Sequence, residues 1–256
     1  MQSYSLAEIR QRTFKHLDSW WTVLLVDPYA SRLVRLVAPY RWVTPNRLTL
    51  LSAVFGAGAA ACFADGGRGP LIGGALLFHL AFVADCVDGK VARLHGTGSM
   101  LGAWFGFMLA RLRAVGCAAA LMGGQYARTG QARYLWLAAL VAALELMRYV
   151  NAGQMAQIRA VLRDRHRVFE GLRRRRIRMH VVSGIEFEMA VFVVGPLTGW
   201  VAGSTLVAGA LLVAFEVHLV AALGRSIARA ARPQPRALVR QEVIDLPLDG
   251  RTAYAG

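Results

Sequence analysis

The sequence predicts an all-α integral membrane protein with six transmembrane helices, preceded by one or two amphipathic juxtamembrane helices. Of its 256 residues, 56% are hydrophobic, and the mean hydropathy is +0.41. This composition is too apolar for an ordinary soluble domain. Apolar stretches of about 20 residues, the length needed to cross a bilayer, occupy residues 47–64, 70–90, 99–122, 133–157, 181–200 and 204–224.

The N-terminal segment, residues 1–46, is predicted to be cytoplasmic or interfacial, and it lacks the basic-then-apolar design of a secretory signal. Apolar residues recur there at helical spacing with basic residues among them. They are Leu6, Ile9, Phe14, Leu17, Trp20 and Trp21. Such a helix lies either in the headgroup plane or against the protein, and both alternatives fit. A second amphipathic segment covers 28–40, and Thr44 with Pro45 marks the start of the first span.

The charges of the connecting segments predict the orientation in the membrane. Residues 64–69 and 123–132 carry three charged side chains between them, so we expect these loops to lie outside. The segment after the fourth span and the tail, residues 225–256, are rich in arginine. By the positive-inside rule, we expect both segments and both termini to be cytoplasmic. We expect the membrane to be the plasma membrane. Residues 47–224 are predicted to form one membrane domain, followed by a basic, flexible tail.

The net charge of +15 predicts an anionic binding partner. The positions of the basic residues indicate which class of partner it is. Lys and Arg concentrate between apolar spans, without interleaved aromatic residues or zinc-ligand spacing. We therefore expect contact with anionic lipid and no nucleic-acid binding. Cys62, Cys86 and Cys117 lie in apolar segments, where small buried thiols are the expected state and disulfides are not.

The second span ends in a cluster of charged residues, from Asp85 to Arg93. Charged side chains inside a membrane indicate a functional site. Asp85 and Asp88 are three residues apart, so on a helix they share one face and can hold a hard cation through oxygen. Gly89 follows them and lets a ligand approach the backbone closely.

This run resembles the motif of the CDP-alcohol phosphotransferase family, D-x2-D-G-x2-A-R-x8-G-x3-D-x3-D. The residues that match it at the required spacing are Asp85, Asp88, Gly89, Ala92, Arg93 and Gly102. The positions of the third and fourth aspartates hold Gly106 and Ala110 instead. The resemblance implies six helices around a cytoplasm-facing polar cavity, paired as a homodimer.

The resemblance also implies a reaction, in which a CDP-alcohol donates its phosphoalcohol group to a second alcohol and CMP is released. It implies Mg²⁺ or Mn²⁺, with Asp85 bridging two ions and Asp88 holding one. The third aspartate would complete the metal sites, and the fourth would be both ligand and base. The donor, expected to be CDP-diacylglycerol, would contact the residues at the matching positions, which are Asn46, Thr49, Gly89, Arg93 and Ser99. As an alternative, Asn46 and Thr49 only begin a helix.

The two missing aspartates predict weak or absent turnover in this sequence. Three explanations fit: designed removal, natural loss, or replacement by acids from elsewhere. The candidate replacements are Glu145, Glu186 and Glu188, and each has an ion-pair alternative, with Arg148 for Glu145 and with Arg176 or Arg178 for the other two. Gly102, Gly106 and Ala110 could instead form a small-residue packing ridge. A non-catalytic protein that binds CDP-lipid or anionic lipid is the alternative function.

The acceptor is expected to be a polar or phosphorylated alcohol. A phosphorylated acceptor needs cations that face the cavity. The candidates are Arg111, Arg113, Arg148 and Arg159. Each could equally be a snorkelling side chain at a helix end.

Overall fold

The computed structural model describes residues 4–16, 18–40, 42–162 and 183–230. These residues form eight helices, of which two, α2 and α7, contain a five-residue π-helical segment. The helices are α1 (Leu6–Thr13), α2 (Thr22–Val26 and Asp27–Val37), α3 (Pro45–Asp65), α4 (Arg68–His95), α5 (Met100–Thr129), α6 (Arg133–Leu162), α7 (Gly184–Met189, Ala190–Val194 and Gly195–Thr198) and α8 (Val201–Ala230).

The predicted all-α membrane class is confirmed. In the described part of the chain, five helices are long and apolar enough to cross a membrane, namely α3, α4, α5, α6 and α8. They correspond to the predicted spans one to four and six.

The remaining predicted span, 181–200, forms the shorter helix α7. Its described length of about 22 Å, at 1.5 Å per residue, is less than the ~30 Å of a bilayer core. Gly184, at its start, lies against the Arg148 guanidinium of α6. At its other end, Arg68 of α4 donates to the carbonyl oxygens of Pro196 and Leu197. Helix α7 therefore runs from the depth of Arg148 to the first turn of α4.

The bundle core forms where α7 and α3 pack against α4. Phe187 and Phe192 of α7 and Phe63 of α3 are fully or almost fully buried. The Phe192 ring lies 4.7 Å from that of Phe78 on α4, centroid to centroid. Because α7 faces protein with most of its residues, its apolar surface stabilises the bundle from inside.

The helix termini follow the predicted local chemistry. Thr44 caps α3 by accepting from the Arg47 amide, and Pro45 occupies the first turn, as predicted. Helix α3 ends at Gly66 with φ of 73°, and α4 ends at Gly96 with φ of 66°. Both values lie in the left-handed region that glycine adopts without strain.

The N-terminal helices pack on α4. Ile9 of α1 and Val26, Ala30 and Val34 of α2 are fully buried. Asp27 of α2 forms an ion pair with Lys90 of α4 at 2.8 Å, and both side chains are only 5% exposed. Of the two predicted alternatives for this segment, packing against the protein is the one that these contacts support.

Several predictions about charged segments lie outside the described residues. They concern the arginine-rich segment up to residue 182, the tail from residue 231 and the side chain of Arg159. The division into an N-terminal segment, one membrane domain and a tail stays a prediction.

Candidate functional site

The motif carboxylate Asp85 is held by an arginine from the neighbouring helix. Its Oδ2 accepts from Nη2 of Arg113 on α5 at 2.7 Å. The Arg113 side chain is 6% exposed and the Asp85 side chain 25%. A guanidinium this far from water is stable only with a close counter-charge, and Asp85 supplies it.

Helix α3 is shaped around the same arginine. Nη1 of Arg113 donates to Oγ of Ser52 at 2.6 Å, and the Ser52 hydroxyl in turn donates to the Ala81 carbonyl at 2.9 Å. A Cβ at Gly56 would lie 2.7 Å from Cδ of Arg113. The absence of a side chain at Gly56 therefore leaves room for the arginine stem.

The second motif carboxylate, Asp88, meets the start of α3. Oγ1 of Thr49 donates to Oδ2 of Asp88 at 2.7 Å, and the same hydroxyl lies 3.0 Å from the Pro45 carbonyl oxygen. The structure thus brings together two residues that the sequence assigned separately, one to the metal site and one to the donor pocket.

Gly89 and Arg93 lie together at the end of α4. Nε of Arg93 donates to the Thr13 carbonyl oxygen at the end of α1, at 2.7 Å. A Cβ at Gly89 would lie 3.4 Å from Nη1 of Arg93. The guanidinium is therefore anchored by one nitrogen and lies over the surface that the glycine leaves bare.

The other predicted donor residues lie at helix starts. Asn46 is exposed in the first turn of α3. The Ser99 hydroxyl caps α5 by accepting from the Gly102 amide at 3.0 Å, which gives this serine a structural role.

Position 106, one of the two without their aspartates, lies on an open part of α5. Gly106 has nothing within 4 Å of an added Cβ, and Trp104 and Phe105 beside it are more than half exposed. Within the described part of one chain, no helix packs against Gly106. A larger side chain at this position therefore fits without displacing a neighbour.

The candidate replacement acids have other partners. Arg111 of α5 binds Glu145 of α6 and Glu188 of α7, each at 2.7 Å. Arg148 binds Glu145 at 2.6 Å, which is the predicted i,i+3 pair, and lies 3.7 Å from Glu188. Glu186 accepts from the amide and hydroxyl of Ser183 in a capping box. Arg176 and Arg178, the expected partners of the α7 acids, are outside the described residues.

The residues of this chain do not fit the metal sites that its motif implies. Among the residues with described positions, no group of three His, Cys, Asp or Glu side chains could hold a metal ion. Asp85 is already paired with Arg113, and Gly106 and Ala110 have no ligand atom in their side chains. Hard divalent cations need several oxygen ligands. Asp85 and Asp88, of which Asp85 is neutralised by Arg113, supply too few.

Sequence reasoning missed the partners of the buried charges. Arg113 was a candidate for the acceptor, and Lys90 was not singled out, yet both are nearly fully buried in ion pairs. The sequence indicates only that these two residues are paired, because any cation inside a membrane needs a partner. The identity of the partner depends on helix packing, which spacing along the chain does not give.

Comparison with known families identifies the class of protein. The family model of CDP-alcohol phosphatidyltransferase matches residues 42–214, more than half of the chain. The chain therefore belongs to the CDP-alcohol phosphatidyltransferase family, as its motif predicted. This family transfers a phosphatidyl group from a CDP-alcohol and generally uses a divalent metal.

One relative carries a more particular name. The phosphatidylinositol phosphate synthase of Corynebacterium glutamicum is 39% identical over 80 residues. The match covers 31% of this chain and 33% of the relative, so the similarity extends over about a third of the relative's length.

Proposed function

We propose that this protein binds a CDP-alcohol, with CDP-diacylglycerol as the donor, where the start of α3 meets the end of α4. We further propose that transfer of the phosphatidyl group to a polar alcohol, with release of CMP, is weak or absent in this sequence. One observation carries both parts. Asp88, Gly89 and Arg93 are assembled with Thr49, whereas positions 106 and 110 hold no carboxylate.

Donor binding is supported by the chemistry of Arg93 and Gly89. A guanidinium offers paired donors that match the oxygens of a diphosphate. Nε of Arg93 is held by the Thr13 carbonyl, so the group is oriented before a ligand arrives. Gly89 lets phosphate oxygens approach the helix backbone, which a side chain would prevent.

Weak turnover is supported by the missing base. Transfer requires that the acceptor hydroxyl lose its proton as it attacks the donor phosphorus. The resemblance assigns that proton to the carboxylate position now held by Ala110, whose methyl group accepts no proton. Because the residues do not fit the metal sites, we assign no step to Mg²⁺ or Mn²⁺ in this chain.

The acceptor we propose is a phosphorylated alcohol. A relative is named a phosphatidylinositol phosphate synthase, and Arg111 and Arg148 are partly buried cations between α5, α6 and α7. Both arginines are shared with Glu145 and Glu188, so acceptor binding there would have to exchange ion-pair partners.

The second candidate function is binding of a CDP-lipid without catalysis. The ion pair between Asp85 and Arg113 favours it, because this carboxylate already serves a structural cation. This function predicts saturable donor binding without consumption.

The membrane arrangement is proposed together with the function. We propose that both termini are cytoplasmic, that the protein is in the plasma membrane, that two copies pair as a homodimer, and that basic segments contact anionic lipid. In this arrangement the end of α4 is at the inner leaflet, where the nucleotide head group of a CDP-lipid that lies in that leaflet can reach it.

The test is CMP release from CDP-diacylglycerol by the purified protein in mixed micelles, with inositol phosphate as acceptor. We expect the double variant Gly106→Asp, Ala110→Asp to release CMP at least about 100-fold faster than the wild type, the scale of a positioned base. The matched control is Gly106→Asn, Ala110→Asn, which adds similar volume without a base. CMP release by the wild type as fast as that of an active restored variant would contradict impaired turnover. Donor binding without CMP release in all three proteins would favour the second candidate.

A further inference from the structure

We propose that Arg113 takes the place of a divalent cation as the counter-charge of Asp85, so that this site binds its donor without metal. The part of this inference that concerns the donor rests on the proposed function, and the part that concerns metal does not. Three observations carry it: how Arg113 is held, how the charge of Asp85 is balanced, and which partners the other acids have.

Residues of α3 and α4 hold the side chain of Arg113, which extends from α5. Its guanidinium bridges Asp85 on α4 and Ser52 on α3, and Gly56 leaves space for its stem. The charged end also lies 5.5 Å from the ring of Phe78, a favourable position for a cation. A side chain with these four supports is a fixed component of the interior, and a snorkelling arginine would instead direct its charge to water.

The charge of the first motif carboxylate is already balanced. Asp85 faces Arg113, whereas Asp88 accepts a hydrogen bond from Thr49. With Asp85 neutralised, Asp88 is the one motif carboxylate left to attract a divalent ion, which requires more oxygen ligands and more negative charge than one carboxylate supplies. A member with all four motif aspartates has two more negative charges at this place, which is the excess that such ions require.

The acidic side chains that could supply additional negative charge for a metal ion already have other partners. Glu145 and Glu188 are bound by Arg111 and Arg148, and Glu186 caps α7. Because guanidinium is always charged in proteins, the counter-charge at Asp85 does not depend on pH or on the supply of metal. The consequence is a site whose donor affinity is insensitive to chelators.

The first experiment measures metal binding directly, by loss of the EPR signal of free Mn²⁺ on titration with purified full-length protein in detergent. We expect no specific binding by the wild type at Mn²⁺ concentrations that saturate a family member with four motif aspartates. The triple variant Gly106→Asp, Ala110→Asp, Arg113→Gln should bind Mn²⁺ with a Kd at least about tenfold lower than that of its matched control, a difference of 1.4 kcal/mol. Its matched control replaces Arg128, an exposed arginine on the same helix, as Gly106→Asp, Ala110→Asp, Arg128→Gln.

The wild-type measurement decides the inference even where a variant does not fold. Wild-type Mn²⁺ binding as tight as that of the four-aspartate member, abolished by Asp88→Asn, would overturn it. A triple variant no better than its Arg128 control would also contradict the assigned role of Arg113.

The second experiment separates this inference from the proposed function. Binding of radiolabelled CDP-diacylglycerol is measured with EDTA and with Mn²⁺. Equal affinity in both supports the inference, and binding only with Mn²⁺ overturns it. No donor binding in either, together with no wild-type Mn²⁺ binding, would reject the proposed function and leave the metal inference standing.

Discussion

At the scale of single residues, Asp85 and Arg113 are the pair on which the site depends. The motif spacing singled out Asp85 as a metal ligand, which stays a prediction, and the structure shows that this carboxylate neutralises a buried arginine. Its effect on stability therefore has to be considered before any effect on chemistry.

Removal of Asp85 should destabilise the protein. Asp85→Leu leaves Arg113 buried without its counter-charge, which costs about 3–5 kcal/mol in comparable buried pairs. The double change Asp85→Leu, Arg113→Met removes both charges and should recover most of that loss, because apolar replacement of a whole buried pair is often neutral. The measurement is the free energy of unfolding in detergent micelles. If Asp85→Leu has the same free energy of unfolding as the wild type, the ion pair between Asp85 and Arg113 contributes nothing to stability.

At the scale of helices, α5 approaches α3 closely at Gly124, whereas the adjacent Gly123 has open surroundings. A Cβ at Gly124 would overlap the Phe63 carbonyl oxygen and lie 2.7 Å from that of Ala64, whereas Gly123 has nothing within 4 Å. Small residues permit such close backbone contact between membrane helices.

These two glycines form a matched pair for a test of the packing. Gly124→Ala should lower the free energy of unfolding by about 1–3 kcal/mol, because the helices must separate to admit the methyl group. Gly123→Ala should be neutral or stabilising by up to about 1 kcal/mol through helix propensity. Thermal unfolding in one detergent compares them, and equal effects would contradict the close contact.

The sequence predicted the helices well where length and apolarity were sufficient. Helices α3 to α6 and α8 begin within three residues of the predicted spans and end one to seven residues beyond them. Thr44 and Pro45 begin α3 as expected. Helix α7 is shorter than predicted, because an apolar run does not distinguish a helix that faces lipid from one that packs inside the bundle. Fully buried Phe187 and Phe192 identify it as the second kind.

The site was predictable only where its residues are close in sequence. The spacing of Asp85, Asp88, Gly89 and Arg93 places them along one helix, and α4 contains them all. The contacts of Asp85 with Arg113 and of Asp88 with Thr49 join residues of different helices. Such contacts arise from packing, and no local pattern specifies them.

At the scale of the whole molecule, the orientation in the membrane decides whether the donor can reach α4. Among the described residues, five helices are long and apolar enough to cross a membrane. We propose that α7, which extends from Arg148 to Arg68, makes a sixth crossing. An even number places both termini on one side, which the arginine distribution predicts to be the cytoplasm.

Cysteine labelling tests this orientation. In a background without Cys62, Cys86 and Cys117, we expect Gln131→Cys, between α5 and α6, to react with an impermeant maleimide in intact cells. Gly98→Cys, between α4 and α5, should react only after permeabilisation. The opposite pattern would place the end of α4 outside and exclude a cytoplasmic donor.

The most direct test of the account is equilibrium binding of radiolabelled CDP-diacylglycerol to the purified chain with EDTA present. The account predicts saturable binding that unlabelled CDP competes away, and that Gly89→Ala weakens by at least about tenfold without loss of stability. Gly116→Ala, on α5 with nothing within 4 Å of the added Cβ, should bind as the wild type does. Absence of saturable binding, or equal binding by Gly89→Ala and the wild type, would contradict a donor site at the end of α4.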